Sequence, residues 1–259
     1  MIQADAGPAF FPGGKTGCIL LHGFVSTPRE MRWLGEQLHQ HGHSVLIPRL
    51  FGHSTRPEDL YRVRWSDWLA DVESHYKLLL THTEQIVLIG LSMGAVLALR
   101  AAAFLPVAGV VALSTPYRIP ALPLLSWLSP FLPLLRPVSR VIRTLPKPPP
   151  LDYYDQEAAK NHLGYRVLPT YAVAEVADLV AAMRRALPEV HAPSLIIHST
   201  HDGGVHPSNA RAIYSRLGAR QKQLFWVENS GHVILLEPER ERAAQAIQNF
   251  VTFVHQEQR

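Results

Sequence analysis

The chain has 259 residues, enough for one large domain with a sizeable hydrophobic core or for a domain that carries an insertion. Hydrophobic residues make up 47% of it and charged residues 18%, a composition typical of a folded globular protein and not of a disordered one. The net charge of +4 is small and the basic residues form no long run, so we expect no nucleic-acid partner.

Cysteine content and hydropathy argue against a disulfide-stabilised, a membrane-spanning and a secreted protein. Cys18 is the single cysteine, so an intrachain disulfide is excluded. No apolar run reaches the ~18 residues of a transmembrane helix, and residues 1–8 show neither the basic nor the apolar part of a secretory signal. We expect a cytoplasmic protein without stable membrane insertion. We also expect a monomer or a weak dimer.

Apolar runs alternate with helical periodicities along the chain. The runs predict strands at 18–21, 44–47, 85–89, 109–113, 194–197 and 223–227, with Phe10 and Phe11 as a candidate seventh strand. Helices are predicted between them, at 28–40, 65–80, 95–103, about 209–217 and about 238–255. Continuous apolar strands that alternate with helices favour an α/β fold, in which helices cover both faces of a mostly parallel sheet.

The interval 116–191 interrupts this alternation. Repeated prolines there break any long helix, and leucines and aromatic residues lie between them. We predict an inserted cap, or lid, over 116–191, and a core domain made of 1–115 and 192–259. The apolar content of the cap is compatible with packing onto the core, with a substrate pocket or with an interfacial surface. Trp127 and Phe131 are the candidate substrate-binding residues of this cap.

The most informative motif is Gly90-Leu91-Ser92-Met93-Gly94, which joins a predicted strand to a predicted helix. A serine at the apex of such a sharp turn, a nucleophile elbow, presents its hydroxyl at the end of the sheet. The two glycines permit the close approach of strand and helix. Ser92 is therefore the candidate nucleophile, and the N–H of Met93 is a candidate donor to an oxyanion.

A serine nucleophile needs a base within hydrogen-bond reach and an acid that orients the base. In open α/β sheets, functional groups collect beyond the carboxyl ends of the strands. Asp202 follows the predicted strand 194–197, and His232 follows the predicted strand 223–227. The order serine, aspartate, histidine is the one expected after a nucleophile elbow. We predict Asp202 as the acid and His232 as the base.

Other residues compete for these two roles. Asp152 and Asp155 lie in the predicted cap and would have to reach down to the sheet. His201 neighbours Asp202 in an extended loop, where adjacent side chains point in different directions. His198 lies at a strand end and is interpreted as structural. None of these four displaces the predicted acid and base.

The second oxyanion donor is expected in the loop after an early strand. Leu21-His22-Gly23-Phe24 has this position, which makes the N–H of Phe24 the candidate donor. We interpret His22 as a polar side chain that pins the loop and does not touch the substrate.

Three alternating histidines, His39, His41 and His43, raise the possibility of a metal site. Because no cysteine or carboxylate cluster accompanies them, we interpret them as solvent-exposed loop residues. We expect neither a metal nor an organic cofactor.

With these motifs assembled, the chain resembles the α/β-hydrolase superfamily over almost its full length. Within that superfamily it is similar to small bacterial carboxylesterases and to thermostable monoacylglycerol lipases. The matching motifs are Leu21-His22-Gly23-Phe24, Gly90-Leu91-Ser92-Met93-Gly94, His201-Asp202-x-x-Val205-x-Pro207 and Ser230-Gly231-His232-Val233-Ile234. The chain departs from the pattern at Gly52-His53-Ser54, where many relatives carry Gly-His-Gly, and in its proline-rich cap.

The predicted constellation suits ester hydrolysis through an acyl-enzyme. The resemblance implies a small-molecule carboxylic ester of short to medium acyl chain as substrate, with monoacylglycerols among the candidates. A thioesterase or an acyltransferase would use the same three residues. A non-catalytic ligand-binding module on the same fold is the alternative of a different class. Dehalogenases and epoxide hydrolases carry an aspartate at the elbow, so Ser92 argues against them.

Overall fold

The structure is a computed structural model that describes residues 6–119, 135–147 and 153–257. In chain order, the strands of these residues are β1 (Ala9–Phe11), β2 (Thr16–Leu21), β3 (Ser44–Ile47), β4 (Gln85–Leu91), β5 (Gly109–Leu113), β6 (Thr144–Pro146), β7 (Val167–Pro169), β8 (Ser194–Ser199) and β9 (Lys222–Val227). Seven of them form one sheet in the order β1-β3-β2-β4-β5-β8-β9, and β6 pairs with β7.

The main sheet is parallel except at one edge, where β1 runs antiparallel to β3. The predicted mostly parallel sheet of six to seven strands is confirmed, including the seventh strand at Phe10 and Phe11. β4 lies near the middle, with its Gly90 opposite Leu21 of β2 and its Leu91 opposite Leu113 of β5. The carboxyl end of β4 is therefore surrounded by the ends of its two neighbours.

Helices connect the strands. They are α1 (Arg29–Gln40), α2 (Trp65–Leu80), α3 (Met93–Ala102), α4 (Leu135–Val138), α5 (Gln156–Asn161), α6 (Thr170–Ala186), α7 (Ser208–Arg216) and α8 (Arg240–Glu257). None of the helices in the described part of the chain is both long and apolar enough to cross a membrane.

Successive side chains of each strand point to opposite faces of the sheet, which gives the molecule two hydrophobic layers. Ile19 and Leu21 of β2 pack into a cluster with residues of α2, α3, α6 and α7. Cys18 and Leu20 of the same strand pack into a second cluster with residues of α1 and α8. The helices thus cover both faces of the sheet, as the continuous apolar strands predict.

Part of the predicted cap interval belongs to the hydrophobic core. α6 lies inside 116–191, yet its Leu179, Val180 and Met183 are buried in the same cluster as α2 and α3. The division into core and cap stays a prediction, and this packing favours moving the end of the cap to a point before α6. Trp127 and Phe131 lie outside the described residues.

Candidate active site

Ser92 stands between β4 and α3 in a backbone conformation that side chains rarely adopt. Its φ is 54° and its ψ is −116°, a strained combination that persists only where the surroundings hold it. The Ser92 N–H donates to the carbonyl of Leu113 on the neighbouring strand, at 2.9 Å. A Cβ at Gly94 would overlap the carbonyl of Leu21, and one at Gly90 would overlap the backbone of Gly94. Both glycines are therefore required for this turn.

The structure brings together the three residues predicted as nucleophile, base and acid. His232 Nε2 lies 2.9 Å from the Oγ of Ser92, and His232 Nδ1 lies 2.9 Å from the Oδ2 of Asp202. The three residues follow the ends of β4, β8 and β9. The Asp202 side chain is fully buried, whereas that of His232 is 18% exposed. The outer histidine can therefore meet a substrate while the acid behind it is shielded from water.

Four donors surround the Asp202 carboxylate. Oδ1 accepts the backbone N–H groups of Gly204 and Val205, at 3.0 Å and 2.7 Å. Oδ2 accepts from His232 and lies 3.2 Å from the Nε2 of His198. Burial raises the pKa of Asp202, but the charge of His232 and the hydrogen bonds from His198 and His232 outweigh it and hold the pKa well below its usual range.

These contacts fix the positions of the protons on His232. An ionised Asp202 can only accept hydrogen bonds, so Nδ1 of His232 carries the proton that it donates to Oδ2. Nε2 of the neutral ring is then an acceptor for the Ser92 hydroxyl. This is the arrangement that general-base activation of a serine requires.

His198 is fully buried and supports the acid. Its Nε2 lies 2.8 Å from the carbonyl of Val205 as well as close to Asp202. Because both partners are acceptors, this nitrogen carries a proton. His198 therefore holds Asp202 and the loop after it, in agreement with its interpretation as structural.

The other competing residues have different partners. Asp155 caps α5 by accepting the N–H of Glu157 at 2.8 Å. His201 is exposed, and its Nδ1 lies 2.5 Å from the carbonyl of Glu228. Asp152 lies outside the described residues. Neither Asp155 nor His201 takes part in the hydrogen-bond chain of Ser92.

The loop after β2 presents the predicted second oxyanion donor. The N–H of Leu50 donates to His22 Nε2 at 3.2 Å, so His22 Nδ1 carries the proton and donates to the carbonyl of Gly23 at 2.9 Å. Burial lowers the pKa of His22, which favours this neutral form. Because the peptide is trans, fixing the Gly23 carbonyl also fixes the direction of the Phe24 N–H. His22 therefore pins the loop, as interpreted from the sequence.

Met93 is the first residue of α3. The N–H groups of the first helical turn have no partner within a helix, so they are available to an anion. Gly23, Phe24 and Ser92 line one cavity of about 500 Å³. The roles of Phe24 and Met93 as oxyanion donors stay predictions.

Several residues that hold the His232 loop were missed in the sequence. Ser114 donates its hydroxyl to the carbonyl of His232 at 2.7 Å, and Ser199 donates to the carbonyl of Ser230. Ser114 follows β5 and Ser199 ends β8, so a search for polar residues at strand ends would have found both.

Buried Glu237 connects the same loop to the cap. It accepts the N–H groups of Gly231, Tyr154 and Asp155, at 3.3 Å, 3.0 Å and 2.9 Å. Burial raises the pKa of this carboxyl. No local sequence pattern distinguishes Glu237 from an ordinary acidic residue near the start of a helix.

The cavity at Ser92 has a mixed lining. It is formed by Gly23, Phe24, Ser26, Glu30, Leu91, Ser92, Lys147, Tyr153, Ala159, Lys160, His162, Gly164, Tyr165, Arg166, His232 and Val233. Half of these residues belong to the predicted cap interval, and the others come from α1, from the end of β4 and from the loops after β2 and β9. A small molecule that fills the cavity would therefore touch both parts.

The described residues contain no group of three or more histidine, cysteine, aspartate or glutamate side chains placed to hold a metal ion. His39 stacks on Phe11 with ring centroids 5.6 Å apart, and His41 Nδ1 lies 2.8 Å from the carbonyl of Gln37. His43 lies against Gln248. The three alternating histidines thus have separate partners. Their interpretation as solvent-exposed loop residues holds for His41 but is wrong for the other two, since His39 lies in α1 and both His39 and His43 are half-buried.

Comparison with known proteins decides the family. A family model described as serine aminopeptidase, S33, matches residues 14–239. The chain belongs to this family of α/β hydrolases. A thermostable monoacylglycerol lipase of Bacillus sp. (strain H-257) is 32% identical to this α/β hydrolase over 237 residues, covering 91% of the chain and 90% of the relative. A carboxylesterase of Bacillus subtilis (strain 168) is 28% identical over 245 residues, covering 94% and 95%.

Solved structures agree with this assignment. A chain described with LipS and LipT, two metagenome-derived lipolytic enzymes, has a TM-score of 0.89 and 30% identity, covering 97% of this chain and 99% of that chain. A monoacylglycerol lipase from Paleococcus ferrophilus has a TM-score of 0.81 at 21% identity, covering 95% and 98%. The second likeness concerns the fold alone.

The backbone conformation explains how this α/β hydrolase accommodates Gly52-His53-Ser54 in place of the Gly-His-Gly of many relatives. Ser54 has a φ of 61°, in the left-handed region that favours glycine. His53 is buried, and its ring packs against His22 and Trp68. The serine therefore adopts the conformation that a glycine at this position would reach with less strain.

Proposed function

We propose that this α/β hydrolase cleaves small carboxylic esters of short to medium acyl chain, monoacylglycerols among them, through an acyl-enzyme on Ser92. The observation that carries the proposal is the hydrogen-bond chain from Ser92 Oγ through His232 to Asp202, with both links at 2.9 Å. Ester hydrolysis is the activity named for both curated relatives. The chain is accordingly an enzyme of the serine ester hydrolase class.

In the first half-reaction, His232 Nε2 accepts the proton of Ser92 as Oγ attacks the ester carbonyl. The ring becomes positively charged, and Asp202 stabilises it through Nδ1. The negative charge on the former carbonyl oxygen is met by the N–H groups of Phe24 and Met93. His232 then gives its proton to the leaving alcohol, and the acyl group stays on Ser92.

In the second half-reaction, the neutral His232 takes a proton from a water molecule, which attacks the acyl-enzyme. The same two N–H groups stabilise the second tetrahedral intermediate. The proton returns to Ser92 as the acid leaves. Every proton transfer passes through one nitrogen of His232, so no metal or organic cofactor enters the reaction.

The cavity supports a small substrate. Its volume of about 500 Å³ lies within the ordinary range of small-molecule pockets. We further propose a cytoplasmic enzyme that works as a monomer or a weak dimer, with Trp127 and Phe131 of the cap contacting the acyl chain. The cap and core division is part of this proposal, with the cap ending before α6.

The test is a substrate panel. Turnover is measured with p-nitrophenyl esters from acetyl to dodecanoyl and with monoacylglycerols. Ser92→Ala serves as the inactive control, and Ser66→Ala is matched to it because Ser66 is an exposed serine of α2. We expect ester hydrolysis in the wild type and in Ser66→Ala, and its loss in Ser92→Ala.

Three further arms separate the alternatives. Acyl thioesters are tested as substrates, alcohols are tested as acyl acceptors, and an aminoacyl p-nitroanilide tests peptidase activity. Faster turnover of thioesters than of esters would identify a thioesterase. Acyl transfer to the alcohol in preference to hydrolysis would identify an acyltransferase that uses the same three residues. No Ser92-dependent turnover in any arm would favour a ligand-binding module.

A further inference from the structure

Residues 162–165 of the cap interval, here called the strap, lie against residues 23–26, here called the oxyanion loop. The N–H of Tyr165 donates to the carbonyl of Val25 at 2.8 Å. A Cβ at Gly164 would lie 2.6 Å from the same carbonyl oxygen, so only glycine permits this approach. His162 lies 2.9 Å from the hydroxyl oxygen of Ser26. The strap thus touches the oxyanion loop at two successive residues.

The oxyanion loop needs such support. Val25 has a φ of 54°, and this left-handed conformation is costly for a β-branched residue. A strained residue keeps its conformation only where the surrounding structure over-determines it. The strap supplies part of that restraint through its hydrogen bond to Val25.

Glu30, in the first turn of α1, is the second support of the loop. Its side chain is 2% exposed. One carboxylate oxygen accepts the N–H of Gly23, and the other accepts the hydroxyl of Ser26. That second oxygen also lies 3.3 Å from His162 Nε2. Glu30 therefore joins the oxyanion loop to the strap.

The hydrogen-bond directions fix a proton on His162. The Ser26 hydroxyl donates its single proton to Glu30. The Ser26 oxygen therefore accepts the hydrogen bond from His162 Nε2–H. Burial raises the pKa of Glu30, but the hydrogen bond and charge of His162 and the N–H of Gly23 lower it to about 2. Glu30 is therefore ionised at neutral pH.

An ionised carboxylate at this position bears on the reaction. A Cβ at Gly23 would lie 3.2 Å from Glu30 Oε1 and 3.6 Å from the Cβ of Ser92, so one glycine separates the carboxylate from the nucleophile. A buried negative charge opposes a second one that develops nearby, because the interior screens charges weakly. The oxyanion formed at Ser92 is such a charge. The donors around Glu30 must offset this repulsion.

We propose that His162 is a positioning residue for the oxyanion hole, which holds Gly23 and Phe24 in place through Ser26 and offsets the charge of Glu30. The oxyanion hole is then complete only when the strap is docked on the core. The inference rests on the proposed function. It assigns to the cap a role in the chemical step, beyond contact with the acyl chain.

The test is the kinetics of His162→Ala on one ester, together with the affinity of a trifluoromethyl ketone, which forms a tetrahedral oxyanion on the serine. Removing a direct oxyanion donor costs about 10²–10³ in kcat, so we expect about a tenfold loss for a residue behind the donor. KM should stay within about twofold, because the interaction operates in the transition state. Affinity for the ketone should fall in step with kcat/KM.

Two variants and a control sharpen the result. His162→Gln keeps a donor to Ser26 and should recover part of kcat. Ser26→Ala breaks the same link on the loop side, and it carries the test if His162→Ala does not fold. His206→Gln is the matched control, since His206 is an exposed histidine that contacts Ser208, and its kinetics should equal those of the wild type.

The inference is overturned if folded His162→Ala keeps its kcat, if the loss lies in KM alone, or if kcat falls while affinity for the ketone is unchanged. A wild type without Ser92-dependent ester turnover removes the proposed function, and the inference with it. An active wild type with unaffected His162→Ala and Ser26→Ala removes the inference alone.

Discussion

The elbow side of the active site and the cap side are built in different ways. Ser92 directly follows β4, and Asp202 and His232 lie in the loops after β8 and β9. Parallel hydrogen bonding of the sheet therefore sets the relative positions of these residues. The cap wall depends on side-chain contacts between distant parts of the chain, such as His162 with Ser26, 136 residues apart, and Glu237 with Tyr154, 83 apart.

This difference indicates that the geometry at Ser92 must be held rigidly, whereas the cap contacts can vary. Charge develops at Ser92, and a small displacement there changes the barrier strongly. The cap touches the same cavity but is held by polar links between distant residues and by the packing of Tyr153 and Tyr165 onto the core. Changes on the elbow side should abolish turnover, whereas changes on the cap side should alter rate or preference by smaller factors.

The largest effect is expected at the elbow. Ser92→Ala should lower kcat by about a millionfold, as loss of a triad nucleophile does. The fold should remain, because the hydroxyl donates only to His232 among the described residues. Turnover of a p-nitrophenyl ester and the thermal midpoint are measured on one preparation. Retention of more than about a hundredth of the activity would remove Ser92 from its assigned role.

The acid comes next. Asp202→Asn should lower kcat by about 10⁴, because an amide at this position favours the wrong imidazole tautomer. Asp155→Asn is the matched control, since the Asp155 side chain caps the N-terminus of α5 and lies outside the hydrogen-bond chain of Ser92, His232 and Asp202. Steady-state kinetics of both variants decide the assignment. A large loss at Asp155 beside normal activity of Asp202→Asn would reverse it.

The pH dependence of kcat/KM distinguishes the role of Asp202 from that of His232. The depressed pKa of Asp202 keeps this carboxylate ionised throughout the range in which histidines titrate. The acid-side fall in kcat/KM should therefore reflect a single group, His232, which loses its capacity to accept a proton once protonated. His201→Ala should leave the profile unchanged. A flat profile between about pH 5 and pH 8, with chemistry shown to be rate-limiting, would exclude a histidine base.

Acid stability tests the support behind the oxyanion loop. The folded pKa of Glu30 is about 2, against an ordinary value of 4.5, so its stabilising contribution is present above pH 4.5 and is lost as pH falls toward 2. The shift corresponds to about 3 kcal/mol in the free energy of unfolding. Denaturant unfolding of Glu30→Gln should show a flatter dependence in this window.

Two features control this measurement. Glu36→Gln is the matched variant, since Glu36 is an exposed glutamate of the same helix, and it should keep the wild-type pH dependence. Protonation of buried His53, whose pKa burial lowers to about 3, also reduces the free energy of unfolding toward acid pH. This contribution is present in the wild type, in Glu30→Gln and in Glu36→Gln. Equal curves for the wild type and Glu30→Gln would contradict the ionised, buried carboxylate.

The smallest effect is expected at the predicted acyl contacts of the cap. An apolar wall favours longer acyl chains by about 0.8 kcal/mol per buried methylene until the pocket is full. kcat/KM should then rise from acetyl to about octanoyl esters. The double variant Trp127→Ser, Phe131→Ser should flatten that rise and spare acetyl esters. An unchanged chain-length preference in a stably folded double variant would show that these aromatic residues do not line the pocket.

The same contrast explains how far sequence reasoning reached. The sheet and the three residues of the hydrogen-bond chain follow local rules, since each residue lies just after an apolar run. Glu30 was missed because an acidic residue in a first helical turn is common for reasons of the helix dipole. His162 and Glu237 were missed because their partners depend on how the cap folds back. Packing of α6 into the core was missed because Pro169 and Pro188 flank this helix, so that it was included in the proline-rich interval as a whole.

The central claim is that Ser92 alone carries the acyl group, activated by His232. The most direct measurement is stoichiometric labelling with a fluorophosphonate, with the adduct located by peptide mass spectrometry. We expect one adduct per chain on the peptide that contains Ser92, formed rapidly in the wild type, slowly in His232→Ala and not at all in Ser92→Ala. An adduct on another serine, or equally rapid labelling of His232→Ala, would contradict the account.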